Sequence, residues 1–192
     1  MTNVKFCMQC GGPLQPRIPA GDTRERLCCL ACGYIHYKSP SVLVSCMVSW
    51  QGKALWMRRA HAPRAGLWGM PMGFLEEGET PRVGAARELR EETHVDIDPN
   101  KLSLYIVGAL TPMNEIHLVF RGEMTSPDFG VGEEALEVAL MAEHEVVWGE
   151  FAYPEVEEQT RRYYQELRTG KFGIYLGEVT RAGTQVLPGI LD

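Results

Sequence analysis

Residues 73 to 95 read GFLEEGETPRVGAARELREETHV. Gly73 is followed after five residues by Glu79, and after seven more by Arg87-Glu88-Leu89-Arg90-Glu91-Glu92. The pattern predicts one helix from Pro81 to Thr93. Thr80 is a good N-cap, and Pro81 suits the first helical position, where the missing N–H would be unpaired anyway. Gly84 weakens this helix by about 1 kcal/mol relative to alanine without breaking it. Each residue advances about 100° around the axis, so Glu88, Glu91 and Glu92, at i, i+3 and i+4, share an arc of roughly 100°. Ala85, Ala86 and Leu89 lie toward the other side and can pack. Three carboxylates this close repel one another, which calls for cations. Hard oxygen donors favour Mg²⁺ or Mn²⁺, and Mg²⁺ commonly bridges carboxylates and substrate phosphates. Arg87, one turn before Glu91, is placed to hold a carboxylate. Taken alone, RELREE also fits a solvated, charge-rich helix face.

The full spacing resembles the box of the Nudix hydrolases, G-x5-E-x7-R-E-U-x-E-E-x-G-U, with U a bulky aliphatic. The chain matches it at Gly73, Glu79, Arg87, Glu88, Leu89, Glu91, Glu92 and Val95. The preceding Leu67-Trp68-Gly69-Met70-Pro71 is similar to the usual lead-in. One position departs: the final glycine of the box is His94 here. That glycine ends the helix where φ > 0 is favoured, and histidine tolerates φ > 0 better than most residues. His94 therefore reads as a slightly strained helix end.

Cys7-Met8-Gln9-Cys10-Gly11 is matched by Cys29-Leu30-Ala31-Cys32-Gly33, two C-x2-C-G knuckles 18 residues apart. This is a strong structural-zinc pattern, giving a closed tetrahedral thiolate site with no open position for chemistry. Disulfides, or an iron site of the same geometry, are the other readings. Cys28 blurs the register, but only Cys29 gives the x2 spacing to Cys32. Cys46, inside the apolar run from Val42 to Val48, reads as a buried strand residue.

At 192 residues the chain has room for one good-sized domain and a small module. No segment approaches the roughly 18 apolar residues of a membrane span. The first residues, MTNVKFCMQC, show no apolar signal region, so a cytoplasmic, reducing setting is expected, which favours metal thiolates over disulfides. The net charge of −6 disfavours a broad nucleic-acid surface, and any phosphate ligand needs local cations.

The expected organisation is a zinc ribbon over residues 1–38, a Nudix domain over 39–155, and a C-terminal helix and tail over 156–192 packing on it. Val42 to Trp50 and Ala54 to Arg58 read as strands joined at Gln51-Gly52-Lys53. Leu104 to Ala109, Ile116 to Arg121 and Glu137 to Met141 read as further strands, and Pro127 to Glu134 as a loop. Val156, Thr160, Tyr163, Tyr164 and Leu167 recur at helical spacing, ended by Gly170. Phe172 to Val179 reads as a last strand or an extended tail.

The resemblance implies an α/β/α sandwich around a mixed sheet. With the knuckles, the chain is most similar to the zinc-ribbon Nudix proteins, which include NADH pyrophosphatases and FAD pyrophosphohydrolases. It implies Mg²⁺- or Mn²⁺-dependent hydrolysis of a nucleoside diphosphate linked to another moiety, with a small dinucleotide as substrate. By box position Glu91, Glu92 and the Gly73 carbonyl are the implied metal ligands, and Glu88 ligates metal or orients the attacking water. Which carboxylate is the base stays open. Glu79 and Arg87 are implied to hold loop and helix together. Glu134 is a candidate late-loop ligand or base, or a plain exposed carboxylate. Arg58 and Arg59, at a strand end, are candidates for phosphate, with one of them facing solvent. Trp68, Phe74 and Tyr105 are candidates to stack on a base or flavin, or core residues.

Two competing readings are a nucleotide-sensing module without catalysis and a nucleic-acid-binding ribbon. The intact carboxylate trio argues against the first, the acidic balance against the second. Analogy suggests a homodimer. NADH pyrophosphatases carry a Ser-Gln-Pro-Trp-x-Phe-Pro-like segment downstream of the box. Here Val107 to Glu115 does not match it. Pro112 before a short loop and the apolar strand from Ile116 to Phe120 instead resemble FAD-hydrolysing members, and Pro112 is also placed like a proline of ADP-ribose hydrolases. FAD or ADP-ribose is therefore expected over NADH.

Overall fold

The apolar run after Pro40 has no polar alternation, and it becomes an interior strand of the main sheet. In the computed structural model, residues 4–154 and 157–188 are described. The chain divides into two compact units, Met1–Ser39 and Pro40–Asp192. The first is a three-stranded antiparallel sheet of β1 (Leu14–Arg17), β2 (Arg26–Cys29) and β3 (Ile35–His36), with β2 in the middle.

In the second unit β4 (Ser41–Trp50) alternates between two cores. Val44, Cys46 and Val48 face one side, packed with Ala85 and Leu89 of α1 (Pro81–Thr93). Met47 faces the other, with Tyr163 and Tyr164 of α2 (Glu157–Thr169). β5 (Lys53–Arg59) repeats the division: Leu55 and Met57 join the first cluster, Ala54 and Trp56 the second. A period of two on strands buried on both faces makes one sheet between two helices, the α/β/α sandwich expected.

The remaining strands are β6 (Trp68–Gly69), β7 (Met72–Phe74), β8 (Ser103–Leu110), β9 (Glu115–Glu123), β10 (Ala135–Met141), β11 (Tyr175–Thr180) and β12 (Gly183–Pro188). The sheet runs β10-β5-β4-β9-β8-β11-β12, with β6 on β5 and β7 on β4. It is mixed: β4–β9 and β11–β8 are parallel, the other pairs antiparallel. β4 and β5 meet through a two-residue turn, Gln51 and Gly52, both at positive φ (47° and 79°). This is the backbone that a tight hairpin with native twist requires.

β4 and β5 pair only at Ser49↔Ala54 and Trp50↔Lys53. Farther along, β7 takes the place beside β4, pairing Val44 with Gly73 and Ser45 with Met72. This splay brings the chain that precedes α1 against the centre of the sheet.

The far core is aromatic, and its polar tips are paired. Trp56 Nε1 donates to the Tyr164 hydroxyl (2.7 Å), which donates to the Met141 carbonyl (2.9 Å). The Tyr163 hydroxyl donates to the Met47 carbonyl (2.8 Å). Leaving one such group buried without a partner costs about 1–3 kcal/mol. The buried Glu166 carboxylate accepts from the Tyr105 hydroxyl (2.6 Å), the Gly173 N–H (3.0 Å) and the Tyr175 hydroxyl. These bonds tie α2, β8 and β11 together.

The C-terminal segment differs in detail from the sequence expectation. Phe172 to Val179 contains β11, a strand of the main sheet, and β12 follows as its hairpin partner. Val156, expected at the start of the helix, lies outside the described residues. Gly170, at φ 69°, ends α2, and its N–H donates to the Glu166 carbonyl. Thr80 sits at the N-cap of α1 with an extended backbone, but its side chain makes no capping bond.

Candidate active site and zinc ribbon

The helix α1 and the loop before it are held by Arg87. Its Nε donates to Glu79 Oε1 (2.8 Å), and its terminal nitrogens reach Glu79 Oε2 (3.0 Å), Glu88 Oε1 (2.7 Å), Glu91 Oε2 (3.0 Å) and the Phe74 carbonyl (3.1 Å). The Arg87 hydrogen bond holds the Glu79 carboxyl below its ordinary range. Arg87 thus joins the loop to the helix and counters part of the carboxylate charge.

Glu88 and Glu92 lie deeper. Glu92 is 3% exposed and accepts from the Met72 N–H (2.8 Å). Burial pushes its carboxyl up to about 8, opposed by the Met72 bond and by Arg59, and reinforced by the charges of Glu88 and Glu134. Burial raises Glu88 too, with Arg87 opposing it and Glu91 and Glu134 adding to it. Gly73 lies against the Glu88 side chain: a Cβ built there would overlap the carboxyl carbon and both oxygens. Glu91 is exposed.

Glu134, on the exposed loop ahead of β10, is brought within electrostatic reach of Glu88 and Glu92. The loop is tied to the end of α1. The Gly130 N–H donates to the Thr93 carbonyl (2.8 Å) and the Gly132 N–H to the Glu92 carbonyl (3.0 Å). These carbonyls belong to the last turn of a helix, which has no internal donors for them. A Cβ on Gly132 would overlap the Glu91 carbonyl oxygen and come within 2.8 Å of the Glu92 Cα. The Gly-rich stretch 130–132 was the one sequence signal for this contact. His94 closes the helix in the left-handed region (φ 57°, ψ 12°), as its place in the box led one to expect.

The two arginines part company. Arg58 Nε donates to the Gly66 carbonyl (2.7 Å), and its terminal nitrogens lie 3.8 Å from Glu137 and 3.6 Å from Glu150. Arg59 Nε donates to the Pro63 carbonyl (3.3 Å), and its charge acts on Glu92. Trp68 is a core residue, 6% exposed, with the Arg58 guanidinium 6.0 Å from its ring centroid. Tyr105 is fully buried and bonded to Glu166, whereas Phe74 is 55% exposed. Of the three rings weighed for stacking, Phe74 alone is open to solvent.

In the ribbon the Sγ atoms of Cys7, Cys10, Cys29 and Cys32 all lie within 4.8 Å of one another. Cys7 and Cys32 are 3.6 Å apart, and Cys10 and Cys29 3.5 Å. Sulfurs about 2.3 Å from a tetrahedral zinc stand roughly 3.8 Å apart, so the donor set fits that ion. The knuckle glycines Gly11 and Gly33 take φ 71° and 76°, and their N–H groups donate to the Cys7 and Cys29 carbonyls. Cys28 points elsewhere, to the Arg26 carbonyl (3.7 Å). Cys46 is buried on the α1 face of the sheet, its Sγ 3.3 Å from the Ala85 carbonyl.

A mixed sheet between two helices, with this loop and helix against its centre, is the NUDIX fold, and the chain belongs to the NUDIX domain family. That family's model matches residues 38–167, and the Nudix N-terminal zinc-ribbon model matches residues 5–38. A solved NUDIX hydrolase from Nitrosomonas europaea superposes with a TM-score of 0.85 at 39% identity, covering 92% of this chain and 99% of that one. The NAD-capped RNA hydrolase NudC of Stutzerimonas stutzeri (strain A1501) is 38% identical over 97 residues, 50% of this chain and 33% of that protein. The phosphatase NudJ of Escherichia coli O1:K1 / APEC is 43% identical over 60 residues, 31% of this chain and 39% of its own length. The chain therefore matches 33% and 39% of the length of these curated relatives. Among the described residues, no helix is long and apolar enough to cross a membrane.

Proposed function

We propose that the chain is a Mg²⁺- or Mn²⁺-dependent pyrophosphohydrolase that cleaves the diphosphate of a nucleoside diphosphate linked to another moiety. One observation carries this reading: the half-buried Glu88 against Gly73 and the buried Glu92 on the Met72 N–H converge, with Glu134 adding charge, and burial holds both carboxyls above their ordinary range. Such a set is costly to keep without a cation, and its hard oxygens suit Mg²⁺ or Mn²⁺. Glu88, Glu91, Glu92 and the Gly73 carbonyl would hold the metal, which supplies charge neutralisation on the diphosphate and lowers the pKa of bound water. Glu134 or Glu88 orients the attacking water. Glu79 and Arg87 keep loop and helix in register. Arg59 is the nearer candidate for substrate phosphate, since Arg58 is engaged by Glu137 and Glu150. In the ribbon, Cys7, Cys10, Cys29 and Cys32 hold a structural Zn²⁺.

For substrate we favour dinucleotides of the FAD or ADP-ribose type, giving AMP plus FMN or ribose 5-phosphate. The turn Thr111–Asn114 joins β8 to β9 where the NADH-type segment would fall, and it lacks that segment's residues. A missing contact segment removes specific hydrogen bonds to that substrate. The second reading, an NAD-type dinucleotide, is favoured by the name of the Stutzerimonas relative. Side-by-side kcat/KM values for FAD, ADP-ribose and NADH with Mg²⁺ decide between them. A clear preference for NADH overturns the substrate reading and leaves the hydrolase standing. No Mg²⁺-dependent release of a mononucleotide from any of the three overturns both.

A further inference from the structure

The net charge of −6 hides a division along the chain. Residues 1–38 hold five cations, Lys5, Arg17, Arg24, Arg26 and Lys38, against two carboxylates, Asp22 and Glu25. By these side chains the ribbon is +3 and the rest of the chain −9; a Zn²⁺ held by four thiolates would lower the ribbon to +1, so it is the placing of the cations that matters. Of its two carboxylates, Asp22 is already engaged by Arg26 Nε at 2.9 Å. The acidity that argued against nucleic acid belongs to the other unit.

The ribbon's cations are arranged with an aromatic ring. Arg17 of β1 stands directly opposite Arg26 of β2, so both side chains rise from one face of the sheet. The Arg26 guanidinium lies 5.4 Å from the centroid of the Tyr37 ring, just past β3. Asp22 fixes Arg26, and Arg26 in turn backs the ring. Tyr37 is still 60% exposed, which leaves ring surface for a second planar group. Arg17 and Lys38 are exposed beside it in sequence and register. A backed, exposed ring among cations is how proteins bind single strands: bases stack on the ring, and phosphates meet the charges.

We propose that this face of the ribbon binds single-stranded nucleic acid, with Tyr37 stacking on a base and Arg17 and Lys38 along the phosphates. This goes beyond the hydrolase reading and does not depend on it. Duplexes keep their bases stacked inside and offer none to Tyr37, so they should bind less well.

The test is fluorescence anisotropy of the zinc-loaded full chain with a labelled RNA of about 12 nucleotides, a length within single-strand site sizes. The wild type should bind, more weakly as salt rises. Tyr37→Ala should weaken binding about tenfold, and Tyr37→Phe, which keeps the ring, should stay within about twofold. Arg17→Ala should make the plot of log K against log salt shallower by about 0.7, the value for one phosphate contact on a single strand. Zinc content and turnover on a small dinucleotide should be unchanged in all three variants. The proposal is overturned if the wild type does not bind RNA, if Tyr37→Ala binds like wild type, or if a duplex of equal length binds as tightly. Tight binding to phosphatidylserine vesicles with none to RNA overturns it as well.

Discussion

The Glu88 carboxylate occupies the space beside Gly73 where any other residue would carry its Cβ. Gly73→Ala must therefore displace either β7 or the carboxylate. The expected result is a fall in turnover of about 100-fold, as follows when a reacting group is moved by about 1 Å. The melting temperature should change little by comparison. Activity kept within a factor of two would mean that Glu88 need not sit where the structure places it.

Glu92→Gln removes one charge and keeps the shape. The amide oxygen can still accept from the Met72 N–H, so the fold should survive. Turnover should fall at least about 100-fold at saturating Mg²⁺, because a ligand carboxylate has been neutralised. Unchanged turnover would remove Glu92 from the proposed ligand set.

The four knuckle thiols should hold about one zinc per chain, released only as the ribbon unfolds. Elemental analysis after dialysis checks the content. Zinc that persists when Cys7, Cys10, Cys29 and Cys32 are all replaced by serine would refute the site.

His94 takes φ 57°, a conformation that glycine adopts without a Cβ penalty. His94→Gly should be neutral or stabilising by up to about 1 kcal/mol, read as an equal or slightly higher melting temperature. A tenfold loss of turnover with Tm unchanged would show that the imidazole takes part in the reaction.

His117 is half-buried, with its ring packed into the protein, and shares a 2.9 Å hydrogen bond with the Ser45 hydroxyl. Burial lowers it to about 4, below the 6.5 of the open chain. The unfolded chain therefore binds a proton that the folded chain refuses. The stability that His117 contributes is full above about pH 6.5 and is lost as pH falls toward about 4. Urea melts of wild type and His117→Gln across that window should converge as pH falls, the variant showing the flatter profile. Parallel profiles would mean that His117 is not held neutral.

What the sequence disclosed was what depends on spacing. The helix ends at Pro81 and Thr93, the knuckles and the left-handed His94 are local consequences of residue order, and they stand where expected. Strand alternation gave the central hairpin to within a residue or two. Long-range partners were not legible. Nothing near Arg58 in sequence points to Glu137 or Glu150, and nothing near Trp68 shows that its ring is enclosed. β12 escaped notice because it follows β11 through a tight turn at Arg181-Ala182, without an apolar alternation to mark it. The Met72 donor to Glu92 was hidden for a different reason: backbone groups carry no sequence signature.

The two hydrogen bonds from Gly130 and Gly132 to the end of α1 have a consequence for anyone who edits this loop. Glu134 gets its address from the helix, two residues after a glycine that cannot accept a side chain. A graft of residues 133–136 from a relative would import a carboxylate without its mooring. A graft that begins before Gly130 and keeps the last turn of α1 would carry both. The transferable unit is therefore the loop together with the helix end, and swaps cut at the visible loop boundary should give folded proteins whose late carboxylate misses its mark.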